Sequence, residues 1–588
     1  MPANHFDFDQ VIIGSGFGGS VSALRLTEKG YRVLVLEKGP RRADHEYPKT
    51  SWDARNYLWA PLFGMRGPLQ MSFTRKVTVV HGCGVGGGSQ IYANVNLVPE
   101  DGVFSSPAWS RIRRDWKERL APFYALSMRM LGTALNPYTN LADTALREVG
   151  EELGRQGSWS TMPVSILFAQ SGGPGGQAVG DPYFAGDGPA RNTCCYCAGC
   201  SLGCRHNAKN TLLKNYLYFA ERNGAEVRAD SRVVRIEPLA DELGVRDGAA
   251  GYELTVRNSA AGSLPRRYKV RTRGVVVSAG VLGSVPLLLK MRDQYRTLPN
   301  LSPQLGQQVR TNSETLLTVT DASEEMHEGP MISSGIAADA ETNIEVNRFP
   351  KGSDATWLYV PYVPMVDGTG LPRLLRFLGN SLLHPLRTLK MLNPKGKAAS
   401  SIIFLVMKTS ESYIHLEWRR PIWRLFRAGI SAVQKAGDTR LEVFFPTAHK
   451  VARRFAEKVR GQPGNALTEI LFGTPMTAHI MSGAAIGTGP ENGVVNDAGE
   501  AFGYRNLRVL DGSIIPGNLG VNPSLTITAL SEYAMSRVPE FDTARASKIR
   551  PIRFSTPLAA QVSPLRAEGE LLRQVLETTR FLYLFCRT

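Results

Sequence analysis

The chain has 588 residues, 43% of them apolar and 21% charged, which is typical of a globular protein large enough for several domains and a core of its own. Its 69 basic and 52 acidic residues give a net charge of +17, which favours anionic partners. Because no nucleic-acid motif and no apolar run of roughly 20 residues accompanies that charge, we expect neither a nucleic-acid partner nor a membrane span, and peripheral contact with an anionic membrane stays open.

A dinucleotide-binding unit is predicted at the start of the chain. The run Phe8–Ile13 predicts a buried parallel strand, followed by a glycine-rich turn, a helical pattern and a second strand that ends at Glu37. In the turn, Gly14 permits a tight change of direction, Gly16 lets the backbone approach a pyrophosphate, and Gly19 lets helix and strand pack closely. A carboxylate such as Glu37 can accept hydrogen bonds from ribose hydroxyls, which disfavours a phosphorylated ribose. The order of these elements predicts a bound dinucleotide, and its place at the start of a long chain favours FAD over NAD.

No signal peptide is expected. The apolar residues Val11–Ile13 lead directly into the glycine turn, with no charged segment or cleavage site before them. We therefore expect a cytoplasmic location, with membrane association left open.

A second glycine-rich segment, Gly82–Ser89, contains five glycines within seven residues, so its backbone can approach a flat or anionic ligand. The flanking residues Val77–Val80 and Ile91–Val98 have the pattern of strands, which would hold the segment at both ends. We interpret it as a binding segment rather than a free surface loop.

Five of the seven cysteines lie within eleven residues. Cys194, Cys197, Cys200 and Cys204 have the C-x2-C-x2-C-x3-C spacing of bacterial ferredoxins. Such thiolates could hold an iron–sulfur cluster or zinc, and the alternative is a set of reduced thiols without metal. In ferredoxins the fourth cysteine serves a second cluster, so a single cluster here would need another arrangement, which could recruit Cys195.

Strands are predicted at Ala225–Glu237, Tyr252–Val256 and Val275–Ser278, the last followed by a helix at Leu282–Met291. Near the C-terminus, the strand Leu507–Leu510 leads into Asp511-Gly512-Ser513. A helix at Leu525–Val538 follows Asn522-Pro523, and a lone histidine, His479, precedes this block.

Taken together, these motifs make the chain similar to the glucose-methanol-choline (GMC) oxidoreductases and, within that family, to the cholesterol oxidase-like proteins of mycobacteria. The resemblance covers about residues 8–540. The segments that carry it are Ile12–Glu37, Gly82–Ser89, Arg205–Tyr216, Asp511–Asn522 and Gly520–Leu530, together with His479.

The resemblance implies an α/β fold. A Rossmann-like FAD-binding domain, a parallel sheet with helices, would be interleaved with a substrate domain built on a mainly antiparallel sheet. We expect the FAD-binding domain at residues 5–45, 75–100, 205–315 and 475–542. The substrate domain, which includes the cysteines, is expected at 101–204 and 316–474, and a basic tail at 543–588.

The resemblance also assigns cofactor-binding residues. It implies that the ADP half is held near the N-terminal turn and that adenine meets the backbone of a middle strand. Flavin would lie at the second glycine-rich segment, and ribitol at Asp511-Gly512. The residues are Gly14, Gly16, Gly19 and Glu37 for ADP, Val233 for adenine, Gly82, Gly87, Gly88 and Asn94 for flavin, and Asp511 and Gly512 for ribitol and pyrophosphate.

The chemistry implied by the family is oxidation of an alcohol. Removing a hydride to FAD also releases a proton, and His479, which matches the family's active-site histidine, suits that role because its ordinary pKa is about 6.5. Asn522 matches the paired asparagine. The expected substrate is a small hydrophobic alcohol, in the first place the hydroxyl of a 3β-hydroxysteroid such as cholesterol, and the expected acceptor is oxygen or a redox protein.

Two alternatives stay open. One is a dehydrogenase of the same family that acts on another alcohol or a sugar and passes electrons through a cysteine-bound iron–sulfur cluster. The other is an electron-transfer protein in which flavin and cysteines exchange electrons with a partner.

Steroid-oxidising relatives that also isomerise the double bond use a glutamate facing the substrate. By sequence its place falls on Ala355, with Asp354 beside it, and Glu345 is the other nearby acid. The resemblance therefore does not by itself carry an isomerase activity over to this chain.

Overall fold

A computed structural model describes residues 5–169, 173–260, 266–419 and 428–555. The part of the predicted basic tail beyond residue 555, including Cys586, lies outside the described residues.

The described residues form the following strands: β1 Phe8–Ile13, β2 Val33–Leu36, β3 Trp59–Ala60, β4 Met65–Arg66, β5 Leu69–Phe73, β6 Thr78–Gly82, β7 Ala134–Leu135, β8 Ser160–Thr161, β9 Pro163–Val164, β10 Ala178–Val179, β11 Arg191–Asn192, β12 Glu226–Arg228, β13 Ser231–Pro238, β14 Tyr252–Asn258, β15 Arg267–Val277, β16 Thr315–Thr320, β17 Ile332–Ala337, β18 Thr342–Asn347, β19 Tyr362–Pro364, β20 Ile402–Lys408, β21 His415–Arg419, β22 Gly429–Val433, β23 Gln462–Ala466, β24 Met476–Thr477 and β25 Leu507–Val509.

The helices are α1 Phe17–Glu28, α2 Ala54–Tyr57, α3 Asp101–Ser105, α4 Pro107–Ser110, α5 Trp116–Met130, α6 Leu141–Glu152, α7 Tyr216–Arg222, α8 Val281–Leu289, α9 Thr356–Tyr359, α10 Gly370–Leu383, α11 Pro385–Leu392, α12 Pro446–Val459, α13 Leu467–Phe472, α14 Ser524–Ser536 and α15 Thr543–Ala546. Within the described ranges, none of these helices is long and apolar enough to cross a membrane.

The first sheet is the dinucleotide-binding layer. Strands β12, β2, β1, β15 and β25 run parallel in that order, and β14 and β13 extend the sheet from β15 as antiparallel strands. Helices pack on this sheet, which explains why β2 and almost all of β1, including Asp9 and Gln10, are buried without alternation. The carboxyl ends of β1, β15 and β25 lead directly to Gly14, Ser278 and Asp511. Ligands of such sheets bind at this edge.

The second sheet has seven strands in the order β19-β23-β16-β20-β18-β17-β8, and its paired strands are antiparallel. Side chains alternate between its two faces. On β20, Phe404 and Val406 pack in the cluster with α6 and α12, whereas Ile403 and Leu405 face the cavity described below. The combination of a parallel and an antiparallel sheet confirms the predicted fold class.

A third, small sheet joins segments that are far apart in the chain. Strand β6 pairs in parallel with β24, although nearly 400 residues separate them, and β5 adds an antiparallel strand. The predicted domain boundaries stay a prediction.

Two predicted strands differ from the structure. Ala225–Glu237 is interrupted at Asp230, whose φ of 52° breaks it into β12 and β13. Ile91–Val98 forms no strand, and that prediction is wrong. Asn94 has a φ of 71° there, and the backbone of Asn94 and Asn96 bonds across to Ser165 and Pro163 instead of continuing a ladder.

Candidate active site

The N-terminal turn has the geometry that its glycines predict. Gly14 has a φ of 100°, and a Cβ at Gly14 or Gly19 would overlap backbone, the carbonyl oxygen of Ser278 for Gly14 and that of Gly14 itself for Gly19. At Gly16, by contrast, a Cβ would meet nothing within 4 Å, so this backbone faces open space. Gly16 caps α1 without a side-chain hydrogen bond, which leaves the N–H groups of the helix terminus for an anion.

Glu37 lies at the end of β2 beside this turn. Its carboxylate accepts hydrogen bonds from the backbone N–H of Ser15 at 3.2 Å and of Gly39 at 3.0 Å, and from the Ser15 hydroxyl at 2.9 Å. Val233, on β13, lines the same space. The carboxylate is therefore held at the position where a ribose would follow a pyrophosphate on α1.

The second glycine segment touches the first. The backbone N–H of Gly86 donates to the Ser15 hydroxyl at 3.1 Å, and a Cβ on Gly87 would come within 2.7 Å of the Cα of Gly16. A Cβ on Gly82 would come within 2.6 Å of the Gly87 carbonyl oxygen. Glycine is thus needed because two backbone segments meet here beside the cavity.

Asp511 follows β25, and together with the two glycine segments and Glu37 it forms what we call the dinucleotide cradle. It accepts hydrogen bonds from the backbone N–H groups of Gly280 at 2.9 Å and Ser513 at 2.8 Å, and from the Ser284 hydroxyl. Burial raises the pKa of Asp511 despite these donors. The carboxylate therefore fixes the turns after β15 and β25 against each other, next to Gly512.

One cavity of about 570 Å³ unites these segments. The predicted residues that line it are Gly14, Gly16, Glu37, Gly82, Gly87, Gly88, Val233, His479, Asp511, Gly512 and Asn522. Gly19 packs behind the turn, and Asn94 lies beside the lining residues Ala93 and Val95. Both polar atoms of the buried Asn94 amide have no partner among the described residues, so its contact with flavin stays a prediction.

His479 lies in this cavity two residues after β24. Its Nδ1 is 3.3 Å from Oε2 of Glu314, which also accepts hydrogen bonds from the Thr477 hydroxyl at 2.7 Å and the Ala478 N–H at 3.0 Å. Burial alone would lower the pKa of His479, but the carboxylates of Glu314 and Glu345 outweigh it and raise the pKa above its ordinary value. The ring is therefore oriented by Glu314, and its Nε2 is the nitrogen left for a ligand.

Asn522 brings a second carboxyl group to the site. Its Nδ2 donates to Oε2 of Glu345 at 3.2 Å, and Glu345 lies close enough to His479 for their charges to interact. Burial raises the pKa of Glu345 to about 7. The other carboxyl oxygen of Glu345 and the Asn522 amide oxygen have no partner among the described residues.

The structure corrects the place of the acid that sequence comparison assigned to Ala355. Ala355 caps the short helix α9, and Asp354 accepts hydrogen bonds from the backbone N–H groups of Gly396 and Ala398 at 2.9 Å each, away from the cavity. The acid beside Asn522 is Glu345. Alternation along β18 was the signal for it, since Glu345 lies on the face opposite the core residues Ile344 and Val346.

A residue that the sequence did not single out connects the cysteine segment to the residues that follow the second glycine segment. Lys209 is fully buried, and its Nζ donates to the carbonyl oxygens of Gln90 at 2.9 Å, Tyr92 at 2.7 Å and Cys200 at 2.8 Å. Burial lowers the pKa of Lys209 to about 7. The side chain thus joins the wall of the cavity to the cysteines.

The predicted metal ligands Cys194, Cys197, Cys200 and Cys204 are all free thiols. The potential ligand atoms of Cys195, Cys197 and His206 lie within 4.8 Å of one another, and no other such group of three was found in the described part of the chain. That spacing concerns a single ion. An iron–sulfur cluster is larger, so the predicted set of four stays a prediction.

The comparisons with known proteins agree with this geometry. Residues 410–531 match the GMC oxidoreductase model, and residues 12–43 match the NAD(P)-binding Rossmann-like domain. The chain is 42% identical to the cholesterol oxidase of Acinetobacter baumannii over 96% of this chain and 100% of that protein, and 41% identical to the cholesterol oxidase of Mycobacterium tuberculosis over 96% and 97%. The crystal structure of pyridoxine 4-oxidase from Mesorbium loti has the same fold, with a TM-score of 0.56, 16% identity, and coverage of 90% of this chain and 99% of that one.

Proposed function

The chain belongs to the GMC oxidoreductase family and is an FAD-dependent alcohol oxidoreductase, and from this we propose that it oxidises the 3β-hydroxyl of a sterol such as cholesterol. The observation that carries the proposal is the placement of His479, Glu314 and Asn522 in one cavity with the dinucleotide cradle. The similarity to two cholesterol oxidases over nearly the whole chain supports the substrate.

The wall of the cavity fits an apolar ring system. Beyond the glycine segments it is lined mainly by large hydrophobic side chains. These side chains are Tyr57, Leu69, Met71, Met331, Phe349, Ile403, Leu405 and Trp418.

The dinucleotide cradle fits FAD because Gly16 leaves open space at the N-terminus of α1 and the nearby Glu37 carboxylate can accept hydrogen bonds from the ribose. The residues proposed to hold FAD are Gly14, Gly16, Gly19, Glu37, Gly82, Gly87, Gly88, Asn94, Val233, Asp511 and Gly512. When bound, FAD supplies the acceptor for the hydride that leaves the carbinol carbon.

The protein's own residues handle the proton. We assign His479 Nε2 as the acceptor of the hydroxyl proton, because Nδ1 faces Glu314. The Glu314 carboxylate orients the ring and stabilises the imidazolium that forms. Asn522, which lines the cavity, donates its amide N–H to Glu345, while its own oxygen is free to accept a hydrogen bond from the substrate.

A second activity, isomerisation of the first product, is favoured by Glu345. Oxidation of a 3β-hydroxy-Δ5 sterol gives a β,γ-unsaturated ketone, and moving the double bond into conjugation takes a proton from C4 and returns one to C6. A buried carboxyl group whose pKa is raised to about 7, with one oxygen unpartnered, is suited to both transfers near neutral pH.

We propose oxygen as the electron acceptor and peripheral contact with a membrane as the route of the substrate.

For the cysteines we propose a bound metal, either an iron–sulfur cluster or zinc on Cys194, Cys197, Cys200 and Cys204. Measuring iron and zinc in protein purified without oxygen tests this. One metal atom bound per chain and lost on Cys197→Ser would favour zinc, several iron atoms would favour a cluster, and neither metal would favour reduced thiols.

The experiment for the main proposal is steady-state turnover of cholesterol with product identification. His479→Gln should lower the oxidation rate at least about a hundredfold, because positioned bases contribute about 10² to 10⁴. Glu345→Gln should oxidise cholesterol but release the unconjugated ketone. The matched control is Glu469→Gln, at another fully buried glutamate whose pKa burial raises to about 7 and whose carboxyl accepts from Thr315 instead. Equal losses in all three variants would contradict these roles.

A further inference from the structure

Helices α10 and α11 expose a stripe of leucines to solvent. On α10 they fall at residues 371, 375, 378 and 382, which is the spacing of a single helix face, and on α11 at 386 and 389. These six leucines, which we call the leucine face, are between 46% and 82% exposed. Single exposed apolar residues are ordinary, but a contiguous apolar patch of this kind marks an interaction surface.

The leucine face is not needed to hold α10 on the protein. The opposite side of α10 does that, because Phe377 packs with Val363, Val366 and Ile470 in a buried cluster of its own. Along α11, Met391 is the fully buried residue. Both helices therefore have an inner apolar side that is satisfied and an outer apolar side that is open.

The segment that carries the leucine face has charges of one sign. From residue 368 to residue 410 the chain contains no aspartate or glutamate, whereas it contains Arg376, Arg387, Lys390 and Lys395. These four are exposed or partly exposed. Leucines interleaved with basic residues are the composition of helices that lie in the interface of an anionic membrane.

The leucine face lies on helices that pack next to the wall of the active-site cavity, since α11 contacts β19, whose Tyr362 lines the cavity. Leu358 is exposed on α9, while Thr356 and Tyr359 of the same helix line the cavity. Helix α13, which packs against α10, exposes Phe472 only four residues before Met476 of the cavity wall. Leu358 and Phe472 thus bring exposed apolar side chains close in sequence to residues of the cavity wall.

We propose that the leucine face docks the protein on an anionic lipid membrane, with its leucines among the acyl chains and its arginines and lysines against lipid phosphates. The proposal extends the proposed function, and it rests on that function only for the claim that a sterol reaches the active site from the membrane. Lipid binding itself requires neither the sterol nor the flavin.

The test is sedimentation of the FAD-loaded full chain with vesicles that contain no sterol, either phosphatidylcholine alone or phosphatidylcholine with phosphatidylglycerol. We expect stronger binding to the anionic vesicles, weakened by salt. Leu382→Ser/Leu386→Ser should lower the partition coefficient at least about tenfold, and so should Arg387→Glu/Lys390→Glu, since each basic residue near such a surface contributes about fivefold.

Two matched pairs serve as controls. Leu243→Ser/Val245→Ser removes exposed apolar side chains from another part of the surface, and Lys450→Glu/Arg454→Glu reverses two exposed charges on α12. Both control pairs should bind vesicles as the parent protein does. Because all eight positions are exposed, FAD content and turnover of detergent-dispersed cholesterol should be unchanged in every variant.

Failure of the parent protein to bind anionic vesicles would overturn the proposal, as would equal losses in the control pairs. Conversion of a dimer to a monomer by Leu382→Ser/Leu386→Ser, without vesicle binding by the parent, would show that a second copy covers the face and would also overturn it. Vesicle binding without turnover of any sterol would refute the proposed substrate and leave the docking surface intact.

Discussion

Replacing Glu314 by glutamine tests how the active-site histidine is tuned. The carboxylate lies 3.3 Å from Nδ1 of His479 and is the principal group that holds the histidine pKa above its ordinary value against the opposing effect of burial. An opposite charge at such a distance favours the protonated imidazole, whereas burial favours the neutral one. Without the Glu314 carboxylate, burial dominates, so we expect the pKa of His479 to fall below its value in the parent protein.

The assay is the rate of anaerobic flavin reduction by excess cholesterol as a function of pH. His479 must be neutral to accept a proton, so the rate of the parent protein rises with pH through the raised pKa of His479. In Glu314→Gln this acid limb should move to lower pH. The plateau rate should also fall, because the imidazolium formed during the reaction has lost its partner carboxylate.

Glu469→Gln is the control, since it makes the same change at a buried glutamate that does not contact the histidine. An acid limb that stays at the same pH in Glu314→Gln would refute the reasoning. A shift in both variants would attribute the effect to general loosening of the substrate domain.

Three further predictions concern the acid, the cradle and the buried lysine. The share of conjugated ketone in the product of the parent protein should fall below about pH 7, because protonated Glu345, with its pKa raised to about 7, cannot accept a proton. The ultraviolet absorbance of the conjugated ketone relative to total ketone measures this share, and a product ratio that stays constant with pH would contradict the prediction. Gly16→Val should keep the fold but lower FAD affinity at least about tenfold, since its side chain enters open space on the pyrophosphate path. Gly19→Val should instead destabilise the protein, because its side chain would overlap the Gly14 carbonyl oxygen. FAD titration and thermal unfolding distinguish the two outcomes. Lys209→Met should lower the free energy of unfolding by about 3 kcal/mol, because three buried carbonyl groups lose their donor; a variant as stable as the parent in guanidinium would contradict that.

The dinucleotide cradle could be predicted from sequence because its determinants are local. The buried strands β1 and β2, the glycines between them and the acid at Glu37 lie within thirty residues, and the close backbone packing at Gly14 and Gly19 agrees with the reasons for glycine at these two positions. The antiparallel second sheet followed from family resemblance, since no strand was predicted from a sequence pattern in residues 316–474.

The site beyond the cradle depends on contacts between distant segments. Glu314 meets His479 across 165 positions of sequence, and Lys209 meets Gln90 across 119, so spacing carries no signal for either pair. Glu345 could have been favoured over Ala355 by the alternation of β18. The strand predicted at Ile91–Val98 failed because a positive φ at Asn94, which asparagine tolerates, cannot be read from β-branched composition.

The most direct measurement is anaerobic mixing of the FAD-loaded protein with cholesterol while the flavin absorbance is recorded. The account predicts that the oxidised flavin bands disappear in a single turnover, and that His479→Gln slows this at least about a hundredfold. A flavin that stays oxidised with cholesterol in the parent protein would contradict the proposed sterol substrate, and equal rates in His479→Gln would contradict the proposed base.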